Sequence, residues 1–207
     1  MMKDFVWYRN RLALMSLPEV TFRILSKVNT VRERYFSLKD SRRRHGISSQ
    51  TAFFLHHIDN IREYLTPWKA TILTNAEQNR QHRFCFFALQ NAELGPEIDW
   101  HTDYRSGAHS PQYIFGKSIN HRKTEDGWDI KYIWEINRWQ HLVRMAKAAW
   151  ILEGKSDGLK FRDEIVLEID SWASSNLLTA INSNTVSIRL PLRLIALFFV
   201  WELLHSL

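Results

Sequence analysis

The fold class is decided by one stretch of the sequence, KYIWEINRWQHLVRMAKAAWILEG, which covers residues 131–154. Its apolar residues recur at steps of four and three, the spacing of one face of an α-helix; they are Tyr132, Ile136, Trp139, Val143, Ala146 and Trp150. A second apolar strip contains Trp134, Leu142, Met145 and Ala149. Because a helix that is apolar on two sides needs cover on both, a helix over about 134–153 is predicted to lie between other elements.

The N-terminal end of this stretch is polar, which is unusual for a buried helix. Glu135 and Arg138 are three residues apart, so they share a helix face and can form an ion pair. Gly154 is a suitable residue for the C-terminal stop of the helix. The helix therefore joins an apolar body to a polar N-terminal end.

Three more helices are predicted around this one. Ser16 to Glu19 form a capping box before a helix over about 17–35. A helix over 159–174 would form an αα-hairpin with the central helix. A last helix over about 186–206 contains Pro191, which is tolerated only in a first turn or at a kink. We expect a mainly α fold, with a short irregular or β-like segment near 82–90.

Composition fits a soluble globular chain of one or at most two domains, with 207 residues of which 45% are hydrophobic. The net charge of +6 is uneven, since residues 1–45 hold eleven Lys and Arg against four Asp and Glu. The basic run Arg42 to Arg44 is interpreted as a solvated connection, because no nucleic-acid-binding motif accompanies it. The adjacent His56 and His57 are a weak metal signal. We expect no nucleic-acid partner.

Other features of the sequence limit compartment and chemistry. Cys85 is the only cysteine and is expected to be a buried small apolar residue in the aromatic segment HRFCFFAL. The N-terminus lacks the apolar region of a secretory signal, and the run from Leu190 to Leu204 is too short and too charged for a confident membrane span. We expect no membrane association, and a cytoplasmic location by default.

Two motifs give the chain a resemblance to a known family. Trp134 to Arg138, W-E-I-N-R, resembles the W-E-x-N-R motif of heparinase II/III-type polysaccharide lyases. Upstream, Glu97 to Asp103, E-I-D-W-H-T-D, followed by Ser106-Gly107, resembles the I-D-W-H-x-D…S-G segment of that family. Met15 to Arg23 is similar to the family's M-S-x-x-E-x-x-x-R opening. Near the end, Arg193 fits a family arginine, although Arg189 stands where a glutamate is usual.

The resemblance implies that residues 1–207 are the N-terminal part of an (α/α) toroid built of helical hairpins. It further implies that the remaining catalytic half and a β-domain of the same protein are missing partners of this chain. The family cleaves acidic, uronate-containing polysaccharides such as glycosaminoglycans by β-elimination, and family resemblance suggests a periplasmic location. The family's neutralising asparagine, histidines and tyrosine have no counterpart that can be carried onto residues 1–207, so no catalytic residue is assigned. No cofactor or metal is implied.

The residues that carry the resemblance are also the candidate substrate-binding residues. They are Trp100, His101, Asp103, Trp134, Glu135, Asn137 and Arg138. Aromatic rings can stack on sugar faces, and an arginine can bind a carboxylate in bidentate fashion. The competing interpretation is structural, with the Glu135–Arg138 pair holding the D-W-H-x-D loop. Two further alternatives are a non-catalytic helical sugar-binding or protein-interaction module, and a self-contained enzyme that uses His101, Asp103 and Glu135, with or without a metal.

Overall fold

The structure is a computed structural model that describes residues 11, 14–36, 61–112, 114, 119, 127–176 and 189–205. The chain divides into two compact units, 1–44 and 45–207. It is mainly helical, as predicted, with short strands. The basic run Arg42 to Arg44 and the pair His56-His57 lie outside the described residues.

The first unit contributes one described helix, α1, at Leu17–Phe36. The backbone N–H of Glu19 donates to Oγ of Ser16 at 3.4 Å, so the predicted capping residue is confirmed. Arg23 lies one turn after Glu19 and pairs with it at 2.8 Å. The apolar side chains of this helix are largely exposed, including those of Leu25 and Val28.

The second unit combines helices with two small antiparallel sheets. In chain order its elements are α2 (Ile61–Leu65), a 3-10 turn (Thr66–Trp68), α3 (Lys69–Arg80), β1 (Arg83–Phe86), β2 (Leu89–Glu93), β3 (Thr102–Asp103), β4 (Ala108–His109), α4 (Ile130–Ile136), α5 (Gln140–Ile151), α6 (Ser156–Ser175) and α7 (Arg189–Leu204). Strand β1 pairs with β2, and β3 pairs with β4. Among these described helices, none is long and apolar enough to cross a membrane.

The prediction of a single central helix over 134–153 is wrong in one respect, because this part of the chain forms two helices, α4 and α5. Trp139 separates them and adopts the left-handed conformation at φ 63°. Its backbone N–H donates to Ile136 O at 3.4 Å, which closes the end of α4. The apolar spacing continues through the break because Trp139 is itself buried. The periodicity of the side chains therefore hides the change in backbone direction.

Helix α5 is the centre of the second unit. It packs against α3, α6 and α7, which confirms that it lies between other elements. Its buried residues come from both predicted strips and include Leu142, Met145, Ala146, Ala149 and Trp150. Gly154 lies in the short connection after α5 and adopts a left-handed conformation at φ +77°. Helix α6 then packs back against α5 and forms the predicted αα-hairpin. In α7, Pro191 is the third residue, so it lies in the first turn as expected.

The segment near 82–90 forms a β-hairpin, and it overturns the expectation for Cys85. Alternate residues of a strand point to opposite faces, so Phe84 is buried and Cys85 is exposed. A register shift between Phe84 and Phe86 adds a bulge at the cysteine. The Sγ atom of Cys85 accepts a hydrogen bond from the Asn91 backbone N–H at 3.2 Å. The aromatic run is therefore one half of a two-faced hairpin rather than a uniformly buried strand.

Candidate functional site

The D-W-H-x-D segment is a short, buried hairpin rather than an open loop. Strand β3, Thr102–Asp103, pairs with β4, and Trp100, His101 and Asp103 are almost completely buried. One carboxylate oxygen of Asp103 accepts the backbone N–H of Arg105 at 2.9 Å, and the other accepts that of Asp129 at 2.8 Å. Asp129 is the N-cap of α4. Asp103 therefore fixes the hairpin to the start of the helix that carries W-E-I-N-R.

Asn137 is the main link between the two motifs. Its side-chain amide donates to Trp100 O at 2.9 Å and to Ile133 O at 2.7 Å. Its side-chain oxygen accepts from the indole N–H of Trp172 at 2.6 Å. Both N–H donors of the amide and its oxygen are therefore hydrogen-bonded, to three separate parts of the chain. The asparagine of W-E-I-N-R thus joins α4, the buried hairpin and α6.

Arg193 brings the last helix to the same junction. Its Nε donates to the backbone oxygen of Asn137 at 3.0 Å. Its guanidinium lies over the rings of Trp172 and Trp139, at 4.5 and 5.5 Å from their centroids. Burial lowers the pKa of Arg193 to about 10, which leaves the group charged at neutral pH. The arginine that fits the family pattern is therefore a buried packing and hydrogen-bonding residue.

His101 is engaged within the fold as well. Its Nε2 lies 3.2 Å from Ser175 O and its Nδ1 lies 3.4 Å from Ser110 Oγ. Desolvation by burial lowers the pKa of the ring, against the raising effect of the hydrogen bond to Ser175. Because Asp103 is held by backbone amides and Glu135 by Arg138, the described residues give no support to a metal held by His101, Asp103 and Glu135.

The remaining candidates are more accessible. Glu135 and Arg138 form the predicted ion pair, at 2.5 Å, and the arginine side chain keeps about a third of its surface exposed. Trp134 is half-buried on the same helix. A ligand can reach this end of α4, whereas the side chains of Trp100, His101, Asp103 and Asn137 are almost completely buried. Of the seven candidates, Arg138 is the one best placed to meet an anionic group.

A second polar cluster, which the sequence motifs do not indicate, lies between α6 and the start of β1. It contains His82, Glu164 and Glu168, and His141 lies behind it. The spacing of Glu164 and Glu168 by four residues is a signal that both lie on one helix face. Nothing in the sequence connects that face with His82, which is about 80 residues earlier.

The chain matches no family model, no curated protein and no solved structure.

Proposed function

We propose that the chain is the front part of the toroid domain of a polysaccharide lyase that acts on acidic, uronate-containing polysaccharide by β-elimination. The observation that carries the proposal is the junction at Asn137. Residues from three separate segments that resemble the family meet there, namely Trp100, Asn137 and Arg193. Such convergence is not required by the sequence order, and it supports a common origin for the three resemblances.

The proposed chemistry places substrate contact, but not proton transfer, on this chain. β-Elimination needs a group that neutralises the uronate carboxylate and a base that removes the adjacent proton. The residues that supply these roles in the family have no counterpart among 1–207. Arg138 can hold a carboxylate through two parallel N–H donors if its pair with Glu135 rearranges. We therefore propose weak substrate binding and no turnover by residues 1–207 alone.

The test has two parts, a binding measurement and an activity measurement. Calorimetric titration with uronate oligosaccharides is expected to show weak binding that falls by at least about tenfold in Arg138→Gln, a change of about 1.4 kcal/mol. The control is Arg162→Gln, which removes an exposed arginine from the side of α6. Absorbance of the unsaturated product is expected to stay at background with heparan sulfate, hyaluronan, alginate and chondroitin.

Two outcomes would contradict the proposal. Equal binding by wild type and Arg138→Gln would remove Arg138 from the substrate site. Steady product formation that is abolished by His101→Ala or Glu135→Ala would place the chemistry within these residues. Either result would mean that the resemblance points to the wrong groups.

A second candidate function is a non-catalytic protein-interaction module. The observation that favours it is the exposed apolar surface of α7, where Leu194, Ile195, Phe199 and Trp201 are all exposed. Exposed apolar patches of this kind mark interaction surfaces. This candidate becomes the better one if the chain binds no oligosaccharide and sedimentation shows that it associates with itself in a manner that Trp201→Ser abolishes.

A further inference from the structure

Three side chains with metal-binding atoms meet beside helix α6. His82, just before β1, faces Glu164 and Glu168, and one ligand atom from each lies within 4.8 Å of the other two. The two glutamates are one helical turn apart on α6, an arrangement in which like charges repel. The nearby arginines make their close ion pairs elsewhere, Arg80 with Glu77 at 2.6 Å and Arg83 with Glu93 at 3.2 Å. Arg80 also attracts Glu164 electrostatically, without a close ion pair.

The hydrogen bonds of His82 fix which ring nitrogen is available. Nδ1 lies 2.8 Å from the backbone oxygen of Gly95. A carbonyl oxygen can only accept, so Nδ1 carries the proton of the neutral ring and Nε2 carries the lone pair. That lone pair lies 3.1 Å from Oε1 of Glu164. Two acceptors face each other at this distance, and they need a proton or a cation between them.

Glu168 provides a second and independent observation that points to a cation ligand. Its side chain is only 3% exposed. Oε2 accepts a hydrogen bond from the Nε2–H of His141 at 2.7 Å, whereas Oε1 is buried without a hydrogen-bond partner. A buried carboxylate oxygen left in this state is costly. The arrangement is that of a carboxylate ligand held in orientation by a neighbouring imidazole, with its other oxygen free to bind a metal.

We propose that His82, Glu164 and Glu168 bind one Zn²⁺ ion, with His141 as a positioning residue. One imidazole and two carboxylates are ligand types that suit zinc, whereas Ca²⁺ and Mg²⁺ prefer oxygen ligands alone. Three protein ligands leave a fourth position open. The cluster borders a cleft of about 500 Å³ that is also lined by Pro96, Trp100 and Ser171. Water or a ligand in that cleft can fill the fourth position.

The test is zinc uptake by the full chain after treatment with a chelator and removal of the chelator. Competition with a chromophoric zinc indicator is expected to show one tight site per chain. Removal of one ligand, in His82→Gln, Glu164→Gln or Glu168→Gln, is expected to weaken that site by at least about 100-fold. His141→Gln should have a smaller effect, of about 10- to 100-fold, because it acts through the orientation of Glu168.

The controls separate this site from adventitious zinc binding elsewhere. Glu93→Gln and His109→Gln remove an exposed carboxylate and an exposed imidazole outside the cluster, and both should keep the tight site. The thermal midpoint should rise with zinc in wild type and in these controls, but not in the three ligand variants. The side chain of Glu164 is partly accessible, so Glu164→Gln is expected to fold. It provides the test of the zinc site if Glu168→Gln fails to fold.

The proposal is overturned if wild type takes up no zinc, or if uptake survives all three ligand substitutions. The first result would leave a protonated His82 in an ion pair with Glu164 as the explanation of the contact. Equal affinity for Ca²⁺ and Zn²⁺ would also overturn the assignment, because it would mean that the imidazole is not a ligand.

Discussion

Trp139 is the residue on which the turn between α4 and α5 depends. Of residues 137–139, which connect α4 to α5, it alone has a left-handed backbone, and its side chain is buried. Its ring packs edge-on against Trp172 at 5.0 Å. A side chain in the left-handed region costs about 1–2 kcal/mol relative to an ordinary conformation. The free energy gained by burying the indole ring must exceed this conformational cost for the turn to be stable.

We therefore expect Trp139→Ala to destabilise the protein by about 3–5 kcal/mol in urea unfolding. Trp139→Gly loses the same ring but relieves the backbone strain, so it should be about 1 kcal/mol less destabilising than alanine. At an ordinary helical position the order is reversed, because glycine there is more destabilising than alanine. The matched control is Trp68→Ala, since Trp68 is 63% exposed and a change within about 0.5 kcal/mol is expected. A loss below about 1 kcal/mol for Trp139→Ala would show that the ring is exposed in solution.

At the scale of elements, the contact between α5 and α6 depends on Gly158. This glycine is buried in the first turns of α6. A Cβ atom added there would lie 3.0 Å from Leu152 O and 3.1 Å from Ala149 O, which are backbone atoms at the end of α5. Backbone oxygens cannot rotate away as a flexible side chain can. The glycine thus sets how closely the two helices of the hairpin approach.

Gly158→Ala is expected to destabilise the protein by about 1–3 kcal/mol, because overpacking outweighs the better helix propensity of alanine. Thermal and urea unfolding provide the measurement. Arg162→Ala, on the exposed side of the same helix, serves as the control and should change stability by no more than about 0.5 kcal/mol. A gain in stability for Gly158→Ala would show that α5 moves away at little cost.

Helices and strands are predicted correctly from the sequence where the spacing of apolar side chains reports the backbone conformation. The strips through Leu142 and Met145, the capping residue Ser16 and the stop at Gly154 predict helices that the structure contains. Spacing fails at Trp139, because a buried residue in a left-handed turn keeps the apolar pattern. It also fails at Cys85, because a strand alternates faces within a run that looks uniformly apolar.

At the scale of the whole molecule, acid sensitivity follows from His101. The unfolded ring has a pKa near 6.5, and burial lowers the pKa in the folded state. Below about pH 6.5 the unfolded chain therefore binds more protons than the folded chain. Stability accordingly rises with pH through this window and falls as the pH drops below about 6.5.

We expect His101→Gln to flatten this dependence. The measurement is the free energy of unfolding in urea between about pH 5 and about pH 7.5. His205→Gln, which removes an exposed imidazole at the end of α7, should keep the wild-type slope. If His101→Gln and wild type lose stability in parallel as the pH falls, the acid sensitivity comes from another group.

The candidate site could be predicted only in part, because a sequence motif identifies residues but not the distant parts of the chain that pack around them. Glu135 and Arg138 pair as their spacing predicts. The burial of Trp100 and Asp103 depends on elements far away in the sequence, and no local pattern reports it. The cluster of His82 with Glu164 and Glu168 depends on the same long-range packing.

The short connection between α5 and α6 also has a consequence for the order of folding. Only residues 152–155 separate α5 from α6, so the α5–α6 hairpin forms by closing a very short loop. The contacts of α5 with α3 and α7 close much longer stretches of chain. The entropy lost in closing a loop increases with its length, and local contacts form fastest. The hairpin can therefore serve as the nucleus, and the junction at Asn137, which needs residues as distant as Trp100 and Arg193, is completed late. Substitutions at Gly158 then slow folding, while substitutions at Arg193 mainly speed unfolding.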